Sequence, residues 1–597
     1  MEEIMGITEK VSSTIGKIRP EKEAKPVEVK IHRAPKTVRK YERVDHVLDF
    51  LRVIEKHGDK IAFSYFDKKR KIKDMSYVRL ARRVKRMAAA LTEKGYAGKR
   101  IALIGDSSPN WVITYLAVLA SGGVIIPMDK ELEIHVIEGF LENVDADGIL
   151  YSSSFNGKFK NAQENHKSLS LFIAIDPDEA EAEGRGVISY KDMMEIGKAA
   201  VEAGYEYPPV KDREAMAEML FTSGTTGTSK CVMLSQKNIF SCVSSAAASV
   251  DVNPDDKTLS VLPLHHTYEL ACMMALLDYG AHVCINDSLT HVVKNLKLFK
   301  PNLLILVPLY VYTFYKRIWS EAKKSGREKK LRLGIGMSRA MTTVGVDKRR
   351  ELFKDVLDAF GGNLEKIICG GAALNPRMIE FFENLGVHIY EGFGITECSP
   401  LVFVTPYYAR KYGSVGPSVP CCQARIDGEY LNDKGYYEGE IQVKGDNVML
   451  GYYKNEEATA DAFTSDGWFR TGDVGYEDAD GYFYITGRMK NVIVLENGKN
   501  VFPEEIEEYL EGVESIAECA VIGRDEGEVV NLTALIYPDL TKYPENTDIE
   551  DIQEDIEKQI TAINKTLPTY KQVKIVELRS TPFEKTSSKK IKRHLLK

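Results

Sequence analysis

Helix-like and strand-like stretches alternate between residues 77 and 127 in an order that few folds accommodate. Residues 77–93 have the apolar spacing of a helix, residues 100–106 indicate a buried strand ending in a turn, residues 111–120 indicate a helix, and residues 123–127 a further strand. Strand, helix and strand in this order predict a parallel sheet with helical crossovers. Because 597 residues exceed the size of one hydrophobic core, we expect several domains.

Charge and cysteine content argue against several classes of protein. The net charge of -7 argues against nucleic acid as the main partner. Nine cysteines without a C-x-x-C pair indicate reduced, buried thiols and a cytoplasmic protein. We expect no signal peptide, because the first residues, Met-Glu-Glu-Ile, lack a basic region followed by an apolar one. We also expect no transmembrane segment, because the apolar stretch 112–128 contains Gly122, Gly123 and Pro127 and the stretch 303–315 is too short and contains Pro308.

Residues 1–44 differ from the rest of the chain. The part from residue 18 onward contains Pro20, Pro26 and Pro35 and an excess of basic over acidic residues. One interpretation is a solvated, partly extended arm. The other is a weak anchor to an anionic membrane surface, so a peripheral membrane contact stays open. Further along, residues 152–213 are expected to be a polar, irregular connection.

A loop rich in glycine and hydroxyl groups follows that connection. It lies between two apolar, strand-like runs, and residues 222–227 contain three Thr, one Ser and two Gly before Lys230. Such a turn can direct N–H and O–H groups and one positive charge at a polyphosphate. The spacing is not that of a Walker A motif. By composition alone, a polar surface turn is an equally good interpretation.

Further polar or glycine-rich turns come later in the chain. They lie within residues 259–269, 367–374, 389–397, 466–473, 484–493 and 581–591. The G-x-G-x-x-G spacing of a dinucleotide site is missing from residues 367–374. Pro376 and Pro503 are both typical of helix starts, the second with Glu504 and Glu505 in its first turn.

Residues 222–230, Thr-Ser-Gly-Thr-Thr-Gly-Thr-Ser-Lys, resemble the signature of the adenylate-forming superfamily, with Ser229 and Cys231 where Pro and Gly are usual. The later motifs follow in the family's order, and Lys589 replaces a usual Gly in the last one. The chain looks most like long-chain fatty acyl-CoA synthetases, because of the segment with His266 and Glu269 and a basic, helical insertion between Tyr310 and Gly361. The sequence lacks the arrangement with which peptide-synthetase domains bind the amino group of an amino acid through an aspartate, so an amino-acid substrate is disfavoured.

The resemblance implies roles for particular residues. The ATP phosphates would contact Thr222, Ser223, Gly224, Thr225, Thr226, Gly227 and Lys230. The adenine and α-phosphate would lie against Gly371, Ala372, Tyr390, Glu391, Gly392, Phe393 and Thr396. The ribose would contact Asp473 and Arg488, with Lys490 at a hinge. The acyl group would lie near His265, His266, Gly371 and Gly394. Glu397 and Thr226 would hold Mg²⁺, and Lys590, Glu397 and Thr226 would be catalytic.

The expected architecture is a multidomain α/β protein. It comprises a basic extension (1–44), a large domain of α/β subdomains plus a β-rich subdomain (45–489), and a small, mobile C-terminal α+β domain (490–597). The implied activity joins a fatty acid to CoA through an acyl-AMP, using ATP and Mg²⁺. One alternative is transfer to an acyl carrier protein by the same chemistry. Another is a nucleotide-binding protein that has lost catalysis.

Overall fold

The computed structural model of the protein describes residues 32–33, 42–155, 158–159, 169–175, 187–222, 229–495, 500–526, 529–585 and 591–596. Its helices are α1 (Val47–Lys56), α2 (Tyr77–Glu93), α3 (Pro109–Ala120), α4 (Ile134–Asn143), α5 (Tyr190–Glu202), α6 (Gln236–Ser249), α7 (Thr267–Asp278), α8 (Val292–Phe299), α9 (Pro308–Lys324), α10 (Glu328–Thr343), α11 (Arg349–Leu352), α12 (Lys354–Asp358), α13 (Pro376–Asn384), α14 (Glu456–Asp461), α15 (Pro503–Glu511) and α16 (Ile549–Asn564). The predicted helix over 77–93 and the predicted starts at Pro376 and Pro503 are confirmed.

The described strands form three large sheets and two small ones, the smallest being the pair Ile493–Val494 and Asn500–Val501. They are β1 (His32–Arg33), β2 (Ile61–Phe66), β3 (Ile72–Ser76), β4 (Arg100–Ile104), β5 (Val124–Met128), β6 (Gly148–Tyr151), β7 (Leu171–Ala174), β8 (Val187–Ser189), β9 (Met216–Thr222), β10 (Lys230–Ser235), β11 (Lys257–Ser260), β12 (His282–Ile285), β13 (Leu303–Leu306), β14 (Lys366–Gly370), β15 (His388–Gly394), β16 (Leu401–Val404), β17 (Cys422–Leu431), β18 (Tyr437–Gly445), β19 (Gly451–Tyr452), β20 (Phe469–Glu477), β21 (Phe483–Arg488), β22 (Ile493–Val494), β23 (Asn500–Val501), β24 (Ile516–Glu526), β25 (Val529–Pro538) and β26 (Ile575–Leu578).

Two mostly parallel sheets of eight strands form the large N-terminal domain. The first has the order β19-β10-β9-β5-β4-β6-β7-β8, and the second β16-β15-β14-β13-β11-β12-β2-β3. Strands such as β5 and β14 are buried along their whole length, as expected of parallel strands covered on both faces. Helix α6 contacts strands of both sheets and is buried almost throughout, so the sheets share one hydrophobic core around it.

A third sheet and a small C-terminal domain complete the fold. The third sheet is antiparallel, with the order β1-β17-β18-β20-β21. Beyond it, β24, β25 and β26 pair in one sheet, and helices α15 and α16 pack on a separate core. The mixed α/β fold with a large and a small domain confirms the predicted fold class.

Within the described residues, several hydrogen bonds connect the small domain to the large one. Asn375 Nδ2 donates to the Glu508 carbonyl at 3.0 Å, and Lys316 Nζ donates to the Ile516 carbonyl at 3.2 Å. The Tyr570 hydroxyl donates to Asp433 Oδ2 at 3.0 Å. These contacts involve α9, the turn before α13 and the β17–β18 connection. The small domain therefore touches α9, the turn before α13 and the third sheet.

The prediction of a polar, irregular connection over residues 152–213 is wrong. The described parts of this segment contain the buried strand β7, the edge strand β8 and helix α5. Ser189 caps α5 by accepting from the Asp192 N–H, and Gly197 lets α5 approach α2, because a Cβ there would lie 1.7 Å from the Arg86 carbonyl oxygen. A strand of four residues shows too little periodicity to be recognised without its neighbours.

The cysteines, the apolar helices and the start of the globular part bear on the remaining expectations. All nine cysteines are free thiols, and seven of them are buried. None of the helices in the described part of the chain has the length and apolar character that a membrane span requires. Near the N-terminus, Val44 is fully buried and its N–H donates to the Ser244 hydroxyl at 3.0 Å. The globular packing therefore begins by this residue.

Candidate active site

The predicted phosphate loop closes a hairpin of the first sheet. Strands β9 and β10 run antiparallel, and Thr222 lies opposite Lys230 at their ends. The Thr222 hydroxyl donates to the Lys230 carbonyl oxygen at 3.3 Å. The predicted phosphate contacts between them lie outside the described residues; they are Ser223, Gly224, Thr225, Thr226 and Gly227. Both ends of the loop are held by the pairing of the two strands.

Tyr452 connects the loop lysine to the predicted metal ligand. The Lys230 ammonium lies 4.7 Å from the centre of the Tyr452 ring. The Tyr452 hydroxyl donates to Glu397 Oε1 at 3.0 Å, and burial together with the nearby Glu397 charge raises the pKa of this tyrosine. The hydroxyl therefore stays protonated and remains a donor. Sequence reasoning missed Tyr452, because it belongs to no motif and comes to the site only when β19 pairs with β10.

Glu397 suits a magnesium ion that is shared with phosphates. It lies half-buried in a 3₁₀ turn, Thr396–Cys398. Within the residues described, no group of three or more His, Cys, Asp or Glu side chains is arranged to hold a metal. Mg²⁺ commonly takes one or two protein carboxylates and completes its shell with substrate phosphates and water. The donor set therefore fits Mg²⁺ bound together with a polyphosphate. Thr226, the other predicted ligand, lies outside the described residues.

The carboxyl ends of two parallel strands bring the two glycine-rich motifs together. Gly370 at the end of β14 lies opposite Gly392 in β15, and a Cβ on Gly370 would lie 3.0 Å from the Gly392 carbonyl oxygen. Gly371 follows with a φ of +87°, which favours glycine. Solvent reaches this edge at the predicted nucleotide or acyl contacts Gly371, Ala372, Gly392, Phe393, Gly394 and Thr396.

Tyr390 and Glu391 lie deeper than their neighbours. Tyr390 is buried, with the Arg410 guanidinium 5.3 Å from its ring centre. Glu391 is buried too, and burial raises the pKa of its carboxyl well above the usual range. The Glu391 N–H donates to the Thr405 hydroxyl at 2.8 Å. In this arrangement their side chains support β15 from inside the domain, and their predicted contacts with the nucleotide stay predictions.

Asp473 and Arg488, both predicted at the ribose, contact each other. They are opposite residues of β20 and β21, and Arg488 Nε lies 2.7 Å from Asp473 Oδ1. The Asp473 side chain is 4% exposed, whereas that of Arg488 is 37% exposed. The Asp473 N–H donates to the Thr471 hydroxyl at 3.0 Å. The carboxylate is therefore oriented by its own strand and by the arginine, which faces solvent.

Lys490 lies in a 3₁₀ turn, Met489–Asn491, between the third sheet and the small domain. Burial and the positive charge of Arg488 lower the pKa of Lys490 to about 8. Asp473, Glu504 and Arg593 also act on its charge. The hinge role of Lys490 stays a prediction.

His265 and His266 precede α7, and their rings contact each other with centres 4.3 Å apart and planes tilted by 50°. His265 Nε2 lies 3.6 Å from Asp129 Oδ1, and both side chains are about one-tenth exposed. Burial, and then the neighbouring His266, lower the pKa of His265 to about 3. His265 is therefore neutral at physiological pH. The acyl-pocket role of this pair stays a prediction.

Lys590 lies outside the described residues, but the ends of its loop are held firmly. Lys585 and Ile591 form an antiparallel bridge, and the Lys592 N–H donates to the Glu584 carbonyl at 2.9 Å. Ion pairs hold these ends to the rest of the small domain. Lys585 Nζ contacts Glu518 Oε1 at 2.6 Å on one side. On the other side, Arg593 pairs with Glu507 of α15. Sequence reasoning did not identify either glutamate.

Comparison with known proteins identifies the family. The chain matches the AMP-binding enzyme family over residues 50–453 and the AMP-binding enzyme C-terminal domain over residues 490–597. A long-chain-fatty-acid–CoA ligase of Mycobacterium tuberculosis is 28% identical over 468 residues, which is 75% of each chain. Long-chain-fatty-acid–CoA ligase 1 of Homo sapiens is 28% identical over 493 residues, 78% of this chain and 70% of the human one.

A chloroplastic long-chain-fatty-acid–[acyl-carrier-protein] ligase of Arabidopsis thaliana is 26% identical over 552 residues, covering 81% of this chain and 75% of its own. Among solved structures, the adenylation domain of a carboxylate reductase from Mycobacterium chelonae has a TM-score of 0.74 at 22% identity, covering 92% of this chain and 89% of its own. ATP-bound MatB from Rhodopseudomonas palustris has a TM-score of 0.68 at 23% identity, covering 92% and 98%. These structures show the same fold. The chain belongs to the AMP-binding enzyme family of the adenylate-forming superfamily, and within it resembles the long-chain acyl-CoA synthetases.

Proposed function

We propose that the protein is a fatty acid–CoA ligase that forms AMP and pyrophosphate. The observation that carries this proposal is the contact of Lys230 and Glu397 with opposite parts of Tyr452, one at its ring and one at its hydroxyl. A positive charge beside the phosphate loop and a carboxylate for a hard cation then lie on either side of one residue. The similarity to fatty acid–CoA ligases supports the substrate class.

In the first step, a carboxylate oxygen of the fatty acid attacks the α-phosphorus of ATP. The bond from that phosphorus to the bridging oxygen breaks, and pyrophosphate leaves with both electrons of the bond. Lys230 orients the pyrophosphate, and Asp473 with Arg488 orients the ribose. Lys590 neutralises the negative charge that gathers between the carboxylate and the phosphate. When bound at Glu397, Mg²⁺ adds positive charge beside the phosphates.

In the second step, the thiol of CoA attacks the acyl carbonyl carbon. The bond from this carbon to the phosphate oxygen breaks, AMP leaves, and the thiol proton passes to solvent. No side-chain nucleophile is needed. We propose no catalytic role for any of the nine free cysteines. We propose that the small domain turns about Lys490 between the steps, presenting Lys590 first and a thioester-forming face second.

The first test is carboxylate-dependent exchange of labelled pyrophosphate into ATP without CoA. A panel of short, medium and long fatty acids, aryl acids and amino acids would be compared, with Lys230→Gln as the control for this site. We expect exchange with fatty acids only, strongly reduced in the control variant. Exchange confined to another acid class would refute the fatty-acid proposal. ATP binding without exchange would favour the catalytically silent alternative.

The acceptor needs a second assay. Free CoA and a carrier protein bearing phosphopantetheine would be offered to the same acyl-AMP. We expect thioester formation with free CoA. Transfer to the carrier protein alone would favour the alternative that the similarity to the Arabidopsis thaliana ligase supports.

Lys490→Pro is expected to separate the two half-reactions. Proline locks φ at this position, so the turn loses the freedom that a rotation needs. We expect pyrophosphate exchange within about 3-fold of wild type and thioester formation from supplied acyl-AMP lowered by about 10-fold or more. Lys490→Ala is the matched control, because it removes the side chain and leaves the backbone free. Equal effects of both variants would rule out a hinge and point to the lysine charge.

Arg593→Gln is expected to weaken the first half-reaction. Without its ion pair to Glu507, one end of the Lys590 loop is no longer anchored to α15. We expect pyrophosphate exchange to fall by about 10-fold, because the lysine is less well positioned, and use of supplied acyl-AMP to change little. Arg524→Gln breaks an ion pair of the same domain, Arg524–Glu577 at 2.6 Å, and serves as the control. Unchanged exchange in Arg593→Gln would show that the loop is positioned without this contact.

A further inference from the structure

Helix α10 is unusual because it is apolar on two opposite faces. Its inner face packs against the domain through Leu331, Gly334 and Ser338, which are buried. Its outer face carries exposed aliphatic residues, with Leu333 66% exposed and Met337 47% exposed. The inner face explains the folding of the helix. Folding does not explain the exposed aliphatic residues of the outer face.

The exposed residues form one continuous stripe. At about 100° per residue, Leu333, Met337, Ala340 and Val344 fall within about 60° of each other around the helix. Val344, the residue after the helix, is 74% exposed. The stripe from Leu333 to Val344 is about 16 Å long. The side chains of the stripe are aliphatic, without the aromatic residues and arginines that dominate protein-binding hot spots.

The stretch of sequence that contains this stripe is strongly basic. Residues 316–350 contain 12 Lys or Arg and 3 Asp or Glu, a net charge of +9 in a chain whose overall charge is -7. Lys329 and Lys330 are exposed at the start of the stripe and form no ion pair with any described residue. Arg332 and Arg339, in contrast, pair with Glu328 and Glu380 at 2.9 Å. The two lysines are therefore available to an external anion.

We propose that the outer face of α10 docks on the surface of an anionic phospholipid bilayer. Lys329 and Lys330 would contact headgroup phosphates, and Leu333, Met337 and Val344 would insert between the lipids. Electrostatic repulsion disfavours two other partners for this face, namely a second copy of the chain and the chain's own N-terminal residues. A second copy would bring +9 against +9, and residues 1–41 carry a net charge of +4. The inference comes from this surface alone and does not depend on the proposed reaction.

The test is co-sedimentation of the full chain with phosphatidylcholine vesicles, pure or containing about a third of phosphatidylglycerol. We expect binding to the anionic vesicles and its loss at high salt. Lys329→Gln together with Lys330→Gln should lower the partition coefficient by about 30-fold, since each lysine contributes about 5-fold. Lys565→Gln with Lys574→Gln removes the same charge from the small domain, where both lysines are exposed, and should have little effect.

The aliphatic contribution is tested separately. Leu333→Ser with Met337→Ser should lower anionic-vesicle binding by about 10-fold or more. Leu289→Ser with Leu431→Ser is the control, because both leucines are 61% exposed and belong to elements other than α10. Wild-type binding by both α10 variants would overturn the proposal. So would sedimentation velocity showing a dimer that only Leu333→Ser with Met337→Ser abolishes, since the face would then bind a second copy.

Discussion

Lys590→Ala is expected to lower carboxylate-dependent pyrophosphate exchange by about 10²–10³-fold. The reason is electrostatic, because the lysine neutralises charge that develops between the carboxylate and the α-phosphate in the first step only. Thioester formation from supplied acyl-AMP should stay within about 3-fold of wild type, since that charge develops only while the acyl-AMP is being formed. The measurement is a comparison of both half-reactions in the same preparation.

The neighbouring lysine provides a matched control. Lys589→Ala removes the same charge one residue away, at the position where the family usually has glycine. We expect this variant to keep most of its exchange activity. If Lys589→Ala loses exchange and Lys590→Ala does not, the catalytic lysine is Lys589. If both half-reactions fall together in Lys590→Ala, the proposed division of roles is wrong.

Asp473→Asn is expected to raise the KM for ATP by about 10²-fold in the exchange assay. The carboxylate is held by Arg488 at 2.7 Å and by its own strand. We propose that it accepts hydrogen bonds from both ribose hydroxyls. An amide keeps the shape but removes the charge and one acceptor. Losing the ion pair should also cost about 1–2 kcal/mol of unfolding free energy, which is less than for a fully buried pair because Arg488 faces solvent.

Asp466→Asn separates these two effects. It breaks the Arg425–Asp466 ion pair, 2.7 Å long, of the same sheet, at an aspartate that is 53% exposed. We expect an unchanged KM for ATP and a stability change below about 1 kcal/mol. A destabilised Asp473→Asn variant with normal KM would show that Asp473 serves the fold and not the nucleotide. Thermal unfolding and exchange kinetics together decide this.

The proposed bilayer contact and the proposed reaction can fail independently. Vesicle binding is measured without any substrate, and pyrophosphate exchange is measured without any membrane. If both hold, a lipid surface would bring the enzyme close to membrane-embedded fatty acids. Comparing exchange by wild type and the Leu333→Ser with Met337→Ser variant, on fatty acid offered in vesicles or in detergent, would then show whether docking matters for substrate supply.

Local chemistry explains where prediction from the sequence succeeded. Helix α2 has the predicted bounds because its apolar spacing runs unbroken over 17 residues. Pro376 and Pro503 mark helix starts because the missing N–H is unpaired in a first turn anyway. Each motif could also be found separately, since glycine-rich turns follow strand-like runs. These signals involve residues a few positions apart.

Local patterns in the sequence were therefore enough for the α/β class, for the bounds of a few elements such as α2, and for the order of the motifs. Which residues of these motifs meet depends on the three-dimensional fold. Tyr452 reaches Glu397 across 55 positions because β19 pairs with β10, and no local pattern reports that pairing. Strand β7 and helix α5 needed their packing partners to be recognised. The physical reason is that helix periodicity and capping arise within one or two turns, whereas strand register, burial and side-chain contacts depend on residues brought together by the whole fold.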